Sequence, residues 1–237
     1  HFVMEVLGRE LVAPFNQFWD FFNDEIPVDA AQVSSGHSSV FGDQGADHAA
    51  PHLPLWMSLP DNDLAYHVAH ELTHLVMAER NYPGTARGVG FHEDSAEARV
   101  GADLEEMVFH PALEKLIEPF GFENTFILER MASGAFNGLR SAPLPERGTP
   151  WFFTWAIRFC ELQIELPPRL WAPVESIYQE RTSAARDLGI ELFDIMQDVG
   201  WGTSEQALEA LVRSRDTLGM RVDDRILILD PATGDTF

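Results

Sequence analysis

Positions 61–80 constrain the fold more than any other part of the sequence, because they read as one apolar helix that carries ionisable side chains. Asp61 or Asn62 can cap its start, and the turn-forming residues at 81–84 end it. Apolar residues run through it at the spacing of a buried helix: Val68, Ala69, Leu72, Leu75 and Val76. A buried histidine or glutamate needs a polar partner. The ionisable side chains of this helix therefore need polar partners or a metal ion.

The ionisable side chains are His70, Glu71 and His74, in the pattern His-Glu-x-x-His. Four residues of helix complete about one turn, so His70 and His74 point the same way and can chelate one metal ion. Glu71 lies beside them, within reach of a water molecule on that metal. The pattern predicts a metal site rather than a helix whose histidines only pack in the core.

The sequence His-Glu-Leu-Thr-His at 70–74 resembles the active-site helix of the zincin metallopeptidases and has the form found in thermolysin. The resemblance covers this helix and a short edge strand expected at 53–59, and not the whole chain. It implies that His70 and His74 bind zinc and that Glu71 is the general base. It also implies that the strand at 53–59 lines the substrate cleft.

A third zinc ligand is implied by the same resemblance. The metzincin ligand, a histidine six residues after the second, is absent, because that position is Arg80. We therefore expect a carboxylate from a downstream helix, as in the gluzincins. Thermolysin-like spacing falls near Asp94 or Glu97, but neither stands in the Asn-Glu-x-x-x-Asp pattern of that family.

Glu105 is the predicted third ligand. It shares one helix face with three small residues that would let another helix approach closely: Ala98, Gly101 and Ala102. Positions 104–111 also resemble the Leu-Glu-x-x-x-x-His-Pro ends of uncharacterised bacterial HExxH proteins. Glu97 is the main alternative, and four further carboxylates on or before this helix stay open: Glu93, Asp94, Asp103 and Glu106.

Two more histidines flank the predicted site. His67 lies on the metal-facing side of its helix and is expected to orient a ligand or line the cleft, with metal binding as the alternative. His110 either orients Glu105, closes the pocket, or lies near a helix end where the dipole favours a cation. Three residues are candidate hydrogen-bond donors to a transition state: Tyr66, Arg140 and Tyr178.

The charge of the chain excludes several classes of partner. Its 237 residues include 38 acidic and 16 basic side chains, which gives a formal net charge of −22. Such a surface repels a phosphate backbone and an anionic membrane. Fifteen of the 16 basic residues are Arg, which fits either a high-GC genome or adaptation to high salt. The single cysteine, Cys160, excludes an internal disulfide framework.

The remaining sequence predicts a mostly helical α+β fold with a small sheet in one domain over 1–237, with a subdivision near 132–150 as an alternative. We expect a helix over 2–26, a loop over 29–52 and a Gly-rich loop over 84–90. Further helices are expected at about 93–109, 151–165, 174–199, which Gly189 could break, and 204–218. A connector at 132–150 and a strand at 225–229 complete the prediction.

The sequence as a whole predicts a zinc-dependent hydrolase, in particular a metallopeptidase. Two alternatives stay open: a biosynthetic or tailoring metalloenzyme with the same helix, and a regulatory protein with a structural zinc site. The expected partner is a peptide or small-molecule substrate, with no nucleic acid and no membrane span. We expect a cytoplasmic location, with secretion as the alternative because the sequence starts at His1.

Overall fold

The computed structural model describes residues 5–6, 8–26 and 58–237. Among these residues the chain is α+β and mostly helical, as predicted. The described residues form eight α-helices and two separate two-stranded antiparallel sheets. No helix among the described residues is long and apolar enough to span a membrane.

The helices and strands are numbered in chain order. The helices are α1 (Phe15–Glu25), α2 (Asp61–Glu79), α3 (Ala96–Ile117), α4 (Thr125–Ser141), α5 (Pro150–Glu165), α6 (Pro168–Arg181), α7 (Ser183–Val199) and α8 (Ser204–Thr217). The strands are β1 (Glu5–Val6), β2 (Arg9–Glu10), β3 (Gly84–Arg87) and β4 (Ile226–Leu229). Two 3-10 turns lie at Glu118–Phe120 and Val222–Asp224.

The chain divides into two compact units. The first comprises residues up to Glu79 together with Leu116–Ile127, and the second comprises Arg80–Lys115 and Leu128–Phe237. The HExxH helix α2 belongs to the first unit, and Glu105 belongs to the second. The single domain over 1–237 stays a prediction.

The first unit packs α1 against α2, and a cluster of aromatic rings joins α1 to residues 120–122. The Phe18 ring lies 5.6 Å from that of Phe120 and 6.0 Å from that of Phe122, measured between centroids. The prediction of one helix over 2–26 is wrong for its first part, since β1 and β2 form a short hairpin there. Gly8 has a φ of 72°, a conformation that favours glycine and lets the chain turn between these strands.

The second unit is built around the contact between α5 and α7. At Gly189 the two helices approach so closely that a Cβ would lie 2.6 Å from Phe159 Cδ1 and 2.8 Å from the Ala156 carbonyl oxygen. The expected break at Gly189 is wrong, because the glycine serves this packing inside a continuous helix. The helices at 174–199 separate instead at Thr182, which lies between α6 and α7.

Several other elements differ from the predictions made from the local sequence. The predicted connector over 132–150 is helical up to Ser141, and Gly138 faces the Trp155 ring, 3.2 Å from a constructed Cβ. The predicted loop at 84–90 begins with β3, which pairs antiparallel with β4 in the register Gly84↔Leu229. The helix expected at about 93–109 continues through Pro111 to Ile117. The strand predicted at 53–59 lies outside the described residues except for Ser58 and Leu59, neither of which is in a strand.

Candidate metal site and its surroundings

The two histidines of the HExxH pattern lie side by side on α2. The ring centroids of His70 and His74 are 5.1 Å apart, with 72° between the ring planes. Each ring offers one nitrogen, and these nitrogens lie within 4.8 Å of each other. Both side chains are half-buried. One helical turn therefore brings two imidazole donors to one place, as the sequence predicted.

The residues between these histidines hold the helix in place. Thr73 is fully buried, and its hydroxyl donates a 2.7 Å hydrogen bond to the Ala69 carbonyl oxygen. Leu72 is also buried, at 3% exposure. Leu75, predicted to be buried, is 39% exposed. The buried face of α2 is therefore narrower than the apolar pattern suggests, and the histidine pair lies at its border.

Glu71 lies on the part of α2 that water can reach, with 39% of its side chain exposed. Its Oε1 is 3.9 Å from His67 Nδ1, one turn earlier on the helix. The ring of Tyr66 lies 5.9 Å from that of His70 and is itself 7% exposed. His67 and Tyr66 thus line the neighbourhood of Glu71 and His70, while their predicted roles stay predictions.

Glu105, the predicted third ligand, is hydrogen-bonded within the second unit. Its Oε2 accepts a 2.7 Å hydrogen bond from the Thr85 backbone amide and a 2.9 Å bond from the Thr85 hydroxyl. Burial raises the pKa of the Glu105 carboxyl, and the two hydrogen bonds from Thr85 act in the opposite direction. This carboxylate anchors α3 to β3. Its role as a zinc ligand stays a prediction.

The small residues beside Glu105 make room for strands. A Cβ constructed at Gly101 would lie 3.1 Å from Thr85 Oγ1 and 3.8 Å from Ile226 Cγ2. These neighbours belong to β3 and β4. The expected helix–helix approach on this face is therefore wrong in its packing partner, because the sheet occupies the face.

Three of the other candidate carboxylates, Glu93, Asp94 and Glu97, lie at or just before the start of α3. Glu97 stands in its first turn. Glu93 and Asp94 are exposed, and the Asp94 carboxylate lies 3.6 Å from His92 Nδ1. All three members of this His92–Asp94 group are exposed to solvent. Exposed groups of this kind are common without a metal, so we assign no site to them.

His110 lies in a cluster of charged groups that involves α3 and α5. Its Nδ1 is 2.7 Å from Glu165 Oε1 and 3.4 Å from Glu161 Oε1, and its Nε2 contacts the Glu106 carboxylate. Burial alone would lower the pKa of His110, but Glu165, Glu106 and Glu161 raise it well above its usual value. Arg158 donates a 2.6 Å hydrogen bond to Glu161 and, with His110, lowers the pKa of that carboxyl despite its burial.

Sequence reasoning missed Glu161 and Glu165 because they lie in a helix dominated by buried apolar residues. A signal was nevertheless present. Glu161 and Glu165 are four residues apart, so they share one face of α5, and Glu161 is only 6% exposed. Two acidic residues on one face of a largely apolar helix indicate cationic partners, and here those partners are His110 and, for Glu161, also Arg158.

Two of the candidate transition-state donors occupy other environments. The Tyr178 hydroxyl is buried and donates a 3.0 Å hydrogen bond to the Trp155 carbonyl oxygen, which makes it part of the α5–α6 core. Arg140 is exposed at the end of α4, where its guanidinium lies 5.6 Å from the Phe136 ring. The structure therefore does not support the donor role predicted for Tyr178, because its hydroxyl is buried and already bonded to a backbone carbonyl.

Comparison of the chain with protein-family models, with curated proteins and with solved structures gives no significant match.

Proposed function

We propose that this chain is a zinc-dependent hydrolase of the zincin type that acts as a metallopeptidase. The observation that carries the proposal is the pair of imidazoles on α2, with nitrogens of His70 and His74 within 4.8 Å of each other. Glu71 follows His70 directly in the sequence and has a partly exposed carboxylate. A pair of histidines at this spacing with an adjacent glutamate is the arrangement that metal-assisted hydrolysis uses.

The donor set fits zinc. Imidazole nitrogens and carboxylate oxygens are ligands that zinc accepts in catalytic sites, usually three protein ligands with one position left for water or substrate. His70 and His74 would supply two of the three. The third would come from a carboxylate, for which the sequence names Glu105 and, as the alternative, Glu97.

The catalytic work of the chain itself falls to Glu71. Zinc, when bound, lowers the pKa of a coordinated water to about 7 and polarises the substrate carbonyl. Glu71 takes a proton from the attacking water and carries it to the amine that leaves as the carbon–nitrogen bond breaks. His67 Nδ1 lies 3.9 Å from Glu71 Oε1, and this proximity supports a role for His67 in orienting that carboxylate.

Zinc stoichiometry tests the metal site. The purified chain, loaded with zinc and dialysed, is expected to retain about one zinc ion per chain by elemental analysis. His70→Ala and His74→Ala are each expected to lower zinc affinity strongly, because each removes one donor. His92→Ala is the matched control, since this side chain is 76% exposed and lies outside α2. Unchanged zinc binding in both α2 variants would refute the proposal.

Hydrolysis separates the peptidase from the two other functions. A library of fluorogenic peptides is expected to yield substrates that the zinc-loaded chain cleaves and the chelator-treated chain does not. Zinc binding without cleavage of any peptide, but with turnover of small amides or esters, would favour a tailoring enzyme. Tight zinc binding with no hydrolysis of either class would favour a structural zinc site.

A further inference from the structure

Helices α4 and α6 line a cavity whose charge is opposite in sign to that of the chain. Its volume is about 480 Å³, within the roughly 300–1,000 Å³ of small-molecule sites. The lining residues all belong to the second unit: Phe136, Arg140, Ser176, Ile177, Glu180 and Arg181. Two arginines and one glutamate give the cavity a charge of +1, in a chain whose formal net charge is −22.

Arg181 is held beside the cavity by one hydrogen bond. It is half-buried in the last turn of α6, and its Nε donates a 3.3 Å hydrogen bond to the Leu139 carbonyl oxygen of α4. This bond uses one of the five N–H groups of a guanidinium. Within the described part of the chain, Arg181 forms no ion pair. Its Nη1 and Nη2 groups can therefore donate to water or to a ligand.

Arg140 lines the same cavity from the last turn of α4. Its guanidinium lies 5.6 Å from the centroid of the Phe136 ring. Such a cation–π contact positions the guanidinium without using any of its N–H donors. Among the described carboxylates, Glu180 included, none forms an ion pair with Arg140. Both arginines of the cavity therefore have N–H groups to offer to an anion.

The position of each arginine at a helix end has an ordinary explanation, because the helix dipole stabilises a cation in the last turn. That effect acts on each helix separately. It does not explain why two arginines line one cavity, where their like charges repel each other. A bound anion would remove this repulsion, and the planar fork of a guanidinium matches the geometry of a carboxylate.

The other lining residues restrict the kind of anion. Glu180 repels a second negative charge, so the cavity favours a monoanion over a dianion. The Phe136 ring and the buried Ile177 provide apolar surface for the body of a ligand. The hydroxyl of Ser176 can donate a further hydrogen bond to it. These features together suit a molecule with one carboxylate and an apolar body.

We propose that this cavity binds a small organic carboxylate with an apolar body, and that Arg140 and Arg181 bind its carboxylate. The site is independent of the proposed function, because it uses none of the residues assigned to zinc or to the general base. It adds a place where an apolar acid can bind to a chain whose overall charge repels anions.

Phenylacetate is a probe for this class of ligand. Titrated into the ¹⁵N-labelled full chain, it is expected to shift the Nε–Hε resonance of Arg181 and to saturate that shift. Phenylacetamide lacks the charge, and inorganic phosphate carries more of it, so each should bind at least about 10-fold more weakly. Equal binding of the amide, tighter binding of phosphate, or no saturable shift up to about 10 mM phenylacetate would each overturn the proposal.

Variants locate the binding. Arg140→Gln and Arg181→Gln are each expected to weaken phenylacetate binding about 10-fold. Arg140 is exposed, so its variant keeps the test valid if loss of the Leu139 contact unfolds the other. Arg147→Gln is the matched control, since it removes one positive charge from an exposed residue outside the cavity.

Glu180→Gln gives a test with the opposite sign. It removes the negative charge of the cavity, so phenylacetate should bind more tightly and phosphate should gain more than phenylacetate does. If Arg147→Gln weakens binding as much as Arg140→Gln, only the overall charge matters and the proposal is wrong. Unchanged binding in Arg140→Gln, or weaker binding in Glu180→Gln, would also overturn it.

Discussion

Glu105 and Thr85 are joined by two hydrogen bonds to a single carboxylate oxygen, one from the backbone amide and one from the hydroxyl. The pair fastens α3 to β3 at the point where Gly101 lets the strand come close. Glu105, which the sequence predicts to bind the metal, therefore has a structural role in holding α3 against β3.

Glu105→Ala tests whether Glu105 mainly stabilises the contact between α3 and β3 or mainly binds zinc. It removes the acceptor for a part-buried amide and hydroxyl, so we expect the free energy of unfolding to fall by about 1–3 kcal/mol. Glu105→Gln keeps an acceptor oxygen and is expected to lose less. Thermal unfolding of the zinc-free protein gives the stability, and chelator competition gives the zinc affinity. A strong loss of zinc binding in a folded Glu105→Gln variant would confirm the sequence prediction.

Glu71→Gln is expected to retain zinc and to lose about 10²–10⁴-fold in kcat on any peptide that the chain cleaves, because it removes the base and leaves the histidines intact. Elemental analysis and kinetics on the same preparation check both halves of the prediction. Glu79→Gln, at the exposed end of α2, is the control for loss of one negative charge on that helix. Full activity of the Glu71 variant would show that another group is the base.

Gly189→Ala is expected to destabilise the second unit by about 1–3 kcal/mol, because the new methyl group meets Phe159 and the Ala156 carbonyl oxygen at 2.6–2.8 Å. Gly134→Ala is the matched control. It lies inside α4 with nothing within 4 Å of its constructed Cβ, so it should stabilise by roughly 0.5–1 kcal/mol. Thermal unfolding of the two variants beside the parent chain checks the prediction. Equal stability of both variants would contradict the close approach of α5 and α7.

Cys160 is expected to be unreactive while the chain is folded. It is completely buried, and burial together with Glu161 raises the pKa of its thiol well above the usual value. Thiolate is the reactive form, so a disulfide reagent such as Ellman's should label the native protein far more slowly than the unfolded one. One thiol per chain makes the endpoint simple to read. Fast labelling under native conditions would show that α5 opens readily.

Net charge is expected to affect which peptides reach the site. With −22 on 237 residues, the field of the chain attracts cations and repels anions. A peptide flanked by Lys should therefore show a higher kcat/KM than its Glu-flanked counterpart at low salt. The ratio should approach one as salt shortens the Debye length below about 10 Å. A preference for the Glu-flanked peptide would mean that cationic side chains near the site outweigh the overall charge.

The sequence predicted well those helices whose start is indicated by neighbouring residues. Helix α2 begins at Asp61, one of the two residues predicted to cap it, although Asp61 lies inside the helix, and α5 begins one residue before the predicted Trp151. Helix α4 was missed because Gly134 and Gly138 read as loop residues, although Gly138 is needed where α4 meets the Trp155 ring. Propensity is a weak prior, and tertiary packing overrides it at such positions.

The surroundings of the candidate site were less predictable than its histidines. The pairing of His70 with His74 follows from helix geometry alone, so spacing is enough to find it. The contacts of Glu105 with Thr85, and of His110 with Glu165, join residues 20 and 55 positions apart. The local sequence does not indicate which residues so far apart in the chain come into contact. The spacing of small residues on α3 predicts a close neighbour, but it does not say whether that neighbour is a strand or a helix.

The pairing of β3 with β4 also governs the order in which the second unit can form. Residues 84–87 and 226–229 make one antiparallel ladder, and six α-helices lie between them in the chain. During synthesis β3 leaves the ribosome long before its partner strand exists, so the ladder is a late event with a large loop-closure cost. The helices must therefore fold first on local contacts, and the final register of β3 beneath α3 is fixed only when the last strand arrives.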